Sequence, residues 1–103
     1  GQPELKDKIN NIKQFQQRIA IKHHLSGLDN RETQEYIQYR LKVAGTEKQI
    51  FQDSAIRLIY EQSGGIPRRI NQVCDMALLI AMGKKLQSVD EETINEVIED
   101  VEA

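Results

Sequence analysis

Two glycines, one residue and a proline, Gly64-Gly65-Ile66-Pro67, commit the second half of this chain to helix, tight turn, helix. Glycine enters the left-handed conformation that stops a helix without a Cβ penalty. Proline suits a first helical position, where its missing N–H costs nothing and its φ is already helical. The two residues after the proline break a local rule. Arg68 and Arg69 fall in the first turn of the new helix, the end that carries roughly half a positive charge from the summed peptide dipoles. The first amide N–H groups there also lack intrahelical acceptors. Acidic residues belong at such a position, so two arginines cost stability and mark a site rather than scaffolding. Guanidinium groups beside free amides make a receptor for an anion, phosphate above all. The plainer alternative is a solvated surface pair bridged to nearby carboxylates.

The rest of the chain from Asp29 onward fits four helices. Asp29 with Glu32 three residues on forms a capping box, and Thr33, Tyr36, Ile37, Arg40, Leu41 and Ala44 recur at helical spacing before Gly45 closes the helix. Asp53 is placed to cap the second, with Ala55, Leu58, Ile59 and Gln62 on one face and Gly64-Gly65 as its stop. The third, from Pro67 to Gly83, carries Ile70, Val73, Cys74, Ala77, Leu78, Ile80 and Ala81. It is apolar around most of its circumference and is expected to be the central buried helix, with Met76 and Met82 as core filler. Ser88 or Asp90 caps the fourth, whose Ile94, Val97, Ile98 and Val101 form a clean stripe.

Residues 1–28 behave differently. Leu5, Ile9, Ile12 and Phe15 share one side of a helix. Ile19, Ile21, His23 and Leu25 then alternate with Ala20, Lys22 and His24, the period-two signature of a half-buried strand. A lone strand cannot satisfy its backbone groups. This segment therefore belonged to a sheet in a longer protein, or it becomes helix or loop here. The start at Gly1-Gln2-Pro3 has the character of an excised fragment.

Composition bounds the rest. The 103 residues make one small domain, and with 5% aromatics and no Trp the core must be mostly Ile, Leu, Val and Ala. A net charge of −2 provides no basic field to attract nucleic acid. There is no long apolar run to cross a membrane. Cys74, the single cysteine, excludes an intrachain disulfide and sits mid-helix on an apolar face, the place of a structural thiol. His23 and His24 on a strand would point to opposite faces, so no metal site is expected. Tyr36, Tyr39 and Tyr60 have the spacing of half-buried packing residues.

Taken in order along the chain, these pieces resemble the C-terminal part of an AAA+ ATPase. Gly65-Ile66-Pro67-Arg68 resembles the sensor-2 motif of the lid subdomain. Gly1-Gln2-Pro3-Glu4-Leu5, Gln17-Arg18-Ile19, His24-Leu25-Ser26-Gly27-Leu28, Tyr39-Arg40-Leu41 with Ala44-Gly45, and Pro67-Arg68-Arg69-Ile70-Asn71 are similar to the ExeA-type secretion ATPases (general secretion pathway protein A) and their TniB-type transposition cousins. The resemblance implies an all-α fold: a four-helix lid over residues 29–103, preceded in residues 1–28 by a helix and a short strand-like remnant of the α/β ATPase core. It implies ATP as cofactor, with Mg ligands outside this chain. Arg68 would contact the γ-phosphate, with Gly65 and Pro67 framing the turn and Arg69 a secondary candidate offset by ~100°. Arg18 would be an arginine finger acting on a neighbouring subunit's nucleotide. Gln2 would lie near the sensor-1 position that orients the attacking water.

The hinge between the two parts is expected near Leu28-Asp29-Asn30. Partners would be the ATPase core of the same protein, neighbouring subunits and a secretion or pilus machine, in the cytoplasm or held at the inner membrane by other parts. The phosphate loop GxxxxGK[ST] and the apolar strand ending in Asp-Glu are both missing, so this segment cannot hydrolyse ATP by itself. The rival expectation is a non-enzymatic helical adaptor or a helix-turn-helix DNA-binding module in which Arg68, Arg69, Asn71 and Gln72 read the duplex.

Overall fold

The computed structural model describes residues 3–102, with side chains described for 10–22 and 26–100. Gln2 lies outside the described residues, as do the side chains of Leu5, Ile9, His23, His24 and Val101. Among the described residues five helices follow one another: α1 (Pro3–Leu25), α2 (Asn30–Val43), α3 (Asp53–Ser63), α4 (Pro67–Gly83) and α5 (Glu91–Glu102). The protein is all-α, as its pattern predicts.

One expectation is corrected at once. Residues 19–25 are not strand-like; they continue α1. A strand needs a neighbour to take its N–H and C=O groups, whereas a helix pairs them internally. Among the described residues no strand is available to pair with it. The helical arrangement also suits the side chains: Phe15 and Ile19, four apart, turn toward Tyr36 and Tyr39 of α2, while Ile21 is 60% exposed. The Phe15 and Tyr39 rings lie 4.9 Å apart and tilted. Gln16 donates to the Tyr39 hydroxyl, Ile19 packs against the core, and the exposed pair Arg18–Glu35 and the half-buried pair Lys22–Glu32 complete the attachment. An exposed ion pair such as Arg18–Glu35 contributes about 0–1 kcal/mol, so the attachment of α1 rests mainly on Phe15 and Ile19.

The bundle proper is α2 to α5. α3, α4 and α5 pack on one another, and α2 packs on α3 and α4. Their shared core contains Ile37, Phe51, Ile59, Ile70, Ile94 and Val97, all nearly inaccessible to solvent. The sequence signals for the ends operate largely as expected. Asp29 and Glu32 form a reciprocal capping box on α2. Asp90 accepts from both the backbone N–H and the hydroxyl of Thr93 at the start of α5. Those two bonds lower the Asp90 pKa below its ordinary value, so their contribution is present above the usual carboxylate range and is lost as pH falls through the depressed value.

Three details differ from the sequence-based expectation. The cap of α3 is Gln52, with Asp53 already in the first turn accepting from the Gln49 carboxamide. The cause lies in the preceding loop. Gln52 N–H donates to Val89 O, and Val89 N–H donates to Ile50 O, a two-bond bridge that holds the chain extended up to Gln52. Second, α4 is buried on one face only. Ile70, Cys74, Ala77 and Ala81 point inward, while Leu79 is 64% and Met82 74% exposed and Met76 also reaches solvent. Three packed neighbours cover about half a helix circumference, so the apolar residues on the far side are left outside. Third, Leu28, in the stretch where the hinge is expected, is fixed to the bundle. It is buried, and its N–H donates to Gly65 O at 2.8 Å.

That last contact demands glycine. A Cβ on Gly65 would sit 1.8 Å from Leu28 O, and its φ of +77° is already left-handed. Gly65→Ala is expected to cost at least about 3 kcal/mol through backbone overlap. Gly45→Ala, left-handed but with nothing within 4 Å, should cost only about 1–2 kcal/mol. Urea unfolding of the two variants measures the difference, and equal losses would contradict the close approach.

Candidate functional site at the start of α4

The first turn of α4 is left without neutralisation. Its N-cap is Ile66, which offers no side-chain acceptor, and no acidic residue stands in the turn. Pro67 lacks an N–H, and the Arg68 N–H has no intrahelical partner. Arg68 and Arg69 are exposed. Among the described residues, neither has a carboxylate within ion-pair distance. The expectation of a surface pair bridged to carboxylates is therefore not met among them. Two cations, an uncapped helix end and the positive pole of its dipole coincide, and an anion is the complement they lack.

The turn is pre-shaped rather than loose. The buried Ser63 hydroxyl accepts from Gly65 N–H at 3.1 Å, and Ile66 N–H donates to Ser63 O. Gly65 O accepts from Leu28 N–H. One helical turn further on, Asn71 Oδ1 accepts from the Tyr36 hydroxyl and from Arg40 Nη1, both at 2.8 Å, and Arg40 also approaches Asp75. These contacts tie the start of α4 to α2. The hub is Asn71, a candidate DNA contact in the rival expectation, whose carboxamide oxygen is here taken by α2. The signal for this is Tyr36 and Arg40 at i, i+4, a polar pair on a face otherwise counted as core.

The other sequence candidates are located as follows. Gly65 and Pro67 are buried in the turn that presents Arg68. Arg18 is on α1, paired with Glu35 at 2.6 Å and stacked over the Phe15 ring at 5.4 Å. Beside it a shallow apolar cleft of about 290 Å³, lined by Phe15, Ile19, Tyr36, Tyr39 and Pro67, runs up to the α4 turn. Gln2 is outside the described residues. Among the described residues no cluster of His, Cys, Asp and Glu could hold a metal ion, and no helix is long and apolar enough to cross a membrane.

Cys74 is inert by position. Burial pushes its thiol up to about 12, with Arg40 opposing and Asp75 reinforcing. The thiol stays protonated in the folded protein while an unfolded chain would ionise near 9.0. Its contribution is thus complete below pH 9 and falls as pH rises from there toward 12. Thiol-reactive dye should label Cys74 only as fast as the bundle opens, and Cys74→Ala should flatten the alkaline limb of the stability profile. Rapid labelling of folded protein at about pH 8 would contradict this.

Comparisons with known proteins bear on the same region. No protein-family model matches the chain, and no solved structure matches it significantly. It is similar to general secretion pathway protein A of Aeromonas hydrophila, 40% identical over 86 residues that make up 82% of this chain and 16% of that protein. It is also similar to an uncharacterized HTH-type transcriptional regulator of Methanocaldococcus jannaschii, 32% identical over 103 residues, 95% of this chain and 25% of that protein. The chain thus spans only 16% and 25% of the length of these curated relatives. The first similarity supports the relation to ExeA-like proteins expected from the motif order.

Proposed function

We propose that this chain is the nucleotide-sensing lid of an ATP-hydrolysing AAA+ motor of the secretion type. The observation that carries this reading is the uncapped, arginine-bearing start of α4, with no counter-charge among the described residues. The similarity to general secretion pathway protein A supports it from a separate direction.

The chain's own residues act by binding and orientation. Arg68 donates from its guanidinium to phosphate oxygens, helped by its own N–H and the dipole of α4. Gly65 and Pro67 hold that turn in place, and Arg69 adds positive potential from an adjacent direction. ATP supplies the transferable γ-phosphoryl group, with Mg held by residues of a longer protein. A contact made with triphosphate and lost with diphosphate biases the angle between this bundle and a nucleotide-binding core by the difference in its energy. Arg18 serves as an arginine finger toward a neighbouring subunit, which requires it to exchange Glu35 for phosphate. Gln2 orients water at the sensor-1 position. The motor works in the cytoplasm as an oligomer, with secretion or pilus machinery as its partner.

In a full-length protein carrying this chain and a phosphate loop, Arg68→Ala should lower turnover at saturating ATP by about a hundredfold with the fold intact. Wild-type turnover would sink the assignment.

A second reading has one observation in its favour, the similarity to a protein named as an HTH-type regulator. α3, the Gly64–Ile66 turn and α4 follow one another as a helix-turn-helix does. Asn71 is already engaged by α2, and the net charge is −2, both of which count against it. Duplex DNA titrated at low salt decides: micromolar binding that weakens steeply with salt favours this reading, and its absence favours the lid.

A further inference from the structure

The resemblance places the hinge between core remnant and lid near Leu28-Asp29-Asn30. Instead the chain there divides sharply into two kinds of residue. Leu28 is 3% exposed and its N–H is held by Gly65 O at 2.8 Å. Asp29 and Glu32 are locked together by the capping box. Everything from Leu28 onward therefore belongs to the bundle. Immediately before it, Ser26 and Gly27 donate their N–H groups back to Lys22 O and so belong to α1. Gly27, with a φ of +80°, is the point of change. Its missing Cβ would stand 3.0 Å from Gly64 O and 3.4 Å from Gly65 O, so the Gly27 backbone rests against the Gly64-Gly65 turn.

From this we infer that the joint is a single-residue pivot at Gly27, with Leu28 as an anchor clamped to the turn that presents Arg68. Leu28, the Gly64-Gly65 turn and Arg68 move as one body, and α1 turns against that body. The attachments of α1 to the bundle are few: an aromatic contact, the partly buried Ile19, one side-chain hydrogen bond, the exposed Arg18–Glu35 pair and the half-buried Lys22–Glu32 pair. The clamp is different in kind. It is a backbone bond from a buried residue, between segments 37 positions apart, and truncating the Leu28 side chain leaves its donor in place. The purpose of the pivot rests on the proposed lid function. Rotation at Gly27 would change the angle of whatever precedes it without disturbing the register of Arg68. The mechanical claim itself needs no nucleotide.

Native-state hydrogen exchange, followed amide by amide on this chain, tests it. Leu28 should be protected to within about tenfold of Ile59 and Ile70 in the core, and at least about a hundredfold more than Ser26 and Gly27. In Phe15→Ala, which loosens α1 from α2, amides 16–22 should exchange at least as fast as before while Leu28 is unchanged. Leu28 exchanging together with Ser26 and Gly27, or falling with α1 in the variant, overturns the pivot and places the joint at Leu28. Because no nucleotide is present, either result leaves the Arg68 assignment to its own kinetic test.

Discussion

The backbone of Leu28 against the backbone of Gly65 is the contact on which the arrangement of this molecule turns. It joins the entry to α2 with the turn between α3 and α4, two loops far apart in sequence. It is possible only because Gly65 lacks a Cβ, since any other side chain would begin inside Leu28. Ser63 and Asn71 then fix the turn from either side, through Gly65 N–H and through Tyr36 and Arg40. The apolar core supplies most of the stability, as in any small domain. It does not decide where Arg68 stands. Polar and backbone contacts at Ser63, Gly65 and Asn71 set the turn that presents it.

The electrostatics of that position are unfavourable in isolation. A helix N-terminus with no cap, no acid in its first turn and two exposed arginines concentrates positive potential. Elsewhere the chain follows the ordinary rules: acids open α2, α3 and α5. The exception is confined to α4, where the turn is also most tightly specified. Local cost combined with rigid support is the pattern of a binding site prepared before its ligand arrives.

Much of this is legible in the sequence. Glycine, proline and the capping residues Asp29 and Asp90 place four helices, because each acts through local backbone chemistry that a sequence displays directly. Arg68 and Arg69 stand out for the same reason. The features that escape are non-local. The alternation at Ile19, Ile21 and Leu25 is a strand pattern only when a sheet is present to receive it; without one, helix is the conformation that pairs its own backbone. The exposure of Leu79 and Met82 depends on how many neighbours α4 has, which periodicity cannot count. The Phe51–Val89 bridge and the Leu28–Gly65 clamp are backbone meetings with no side-chain signature. Asn71 is visibly polar in the sequence, but its engagement is not visible, since its partners lie on another helix.

Under the proposed lid function, Arg68 would convert the presence of a γ-phosphate into a position of this bundle relative to α1. Spin labels on α1 and on the exposed face of α4, in a full-length protein that hydrolyses ATP, report that position as a distance. The expected distance differs between a non-hydrolysable ATP analogue and ADP, and becomes the same in both states in Arg68→Ala with the analogue still bound. An ATP-dependent change of undiminished size in Arg68→Ala would contradict it.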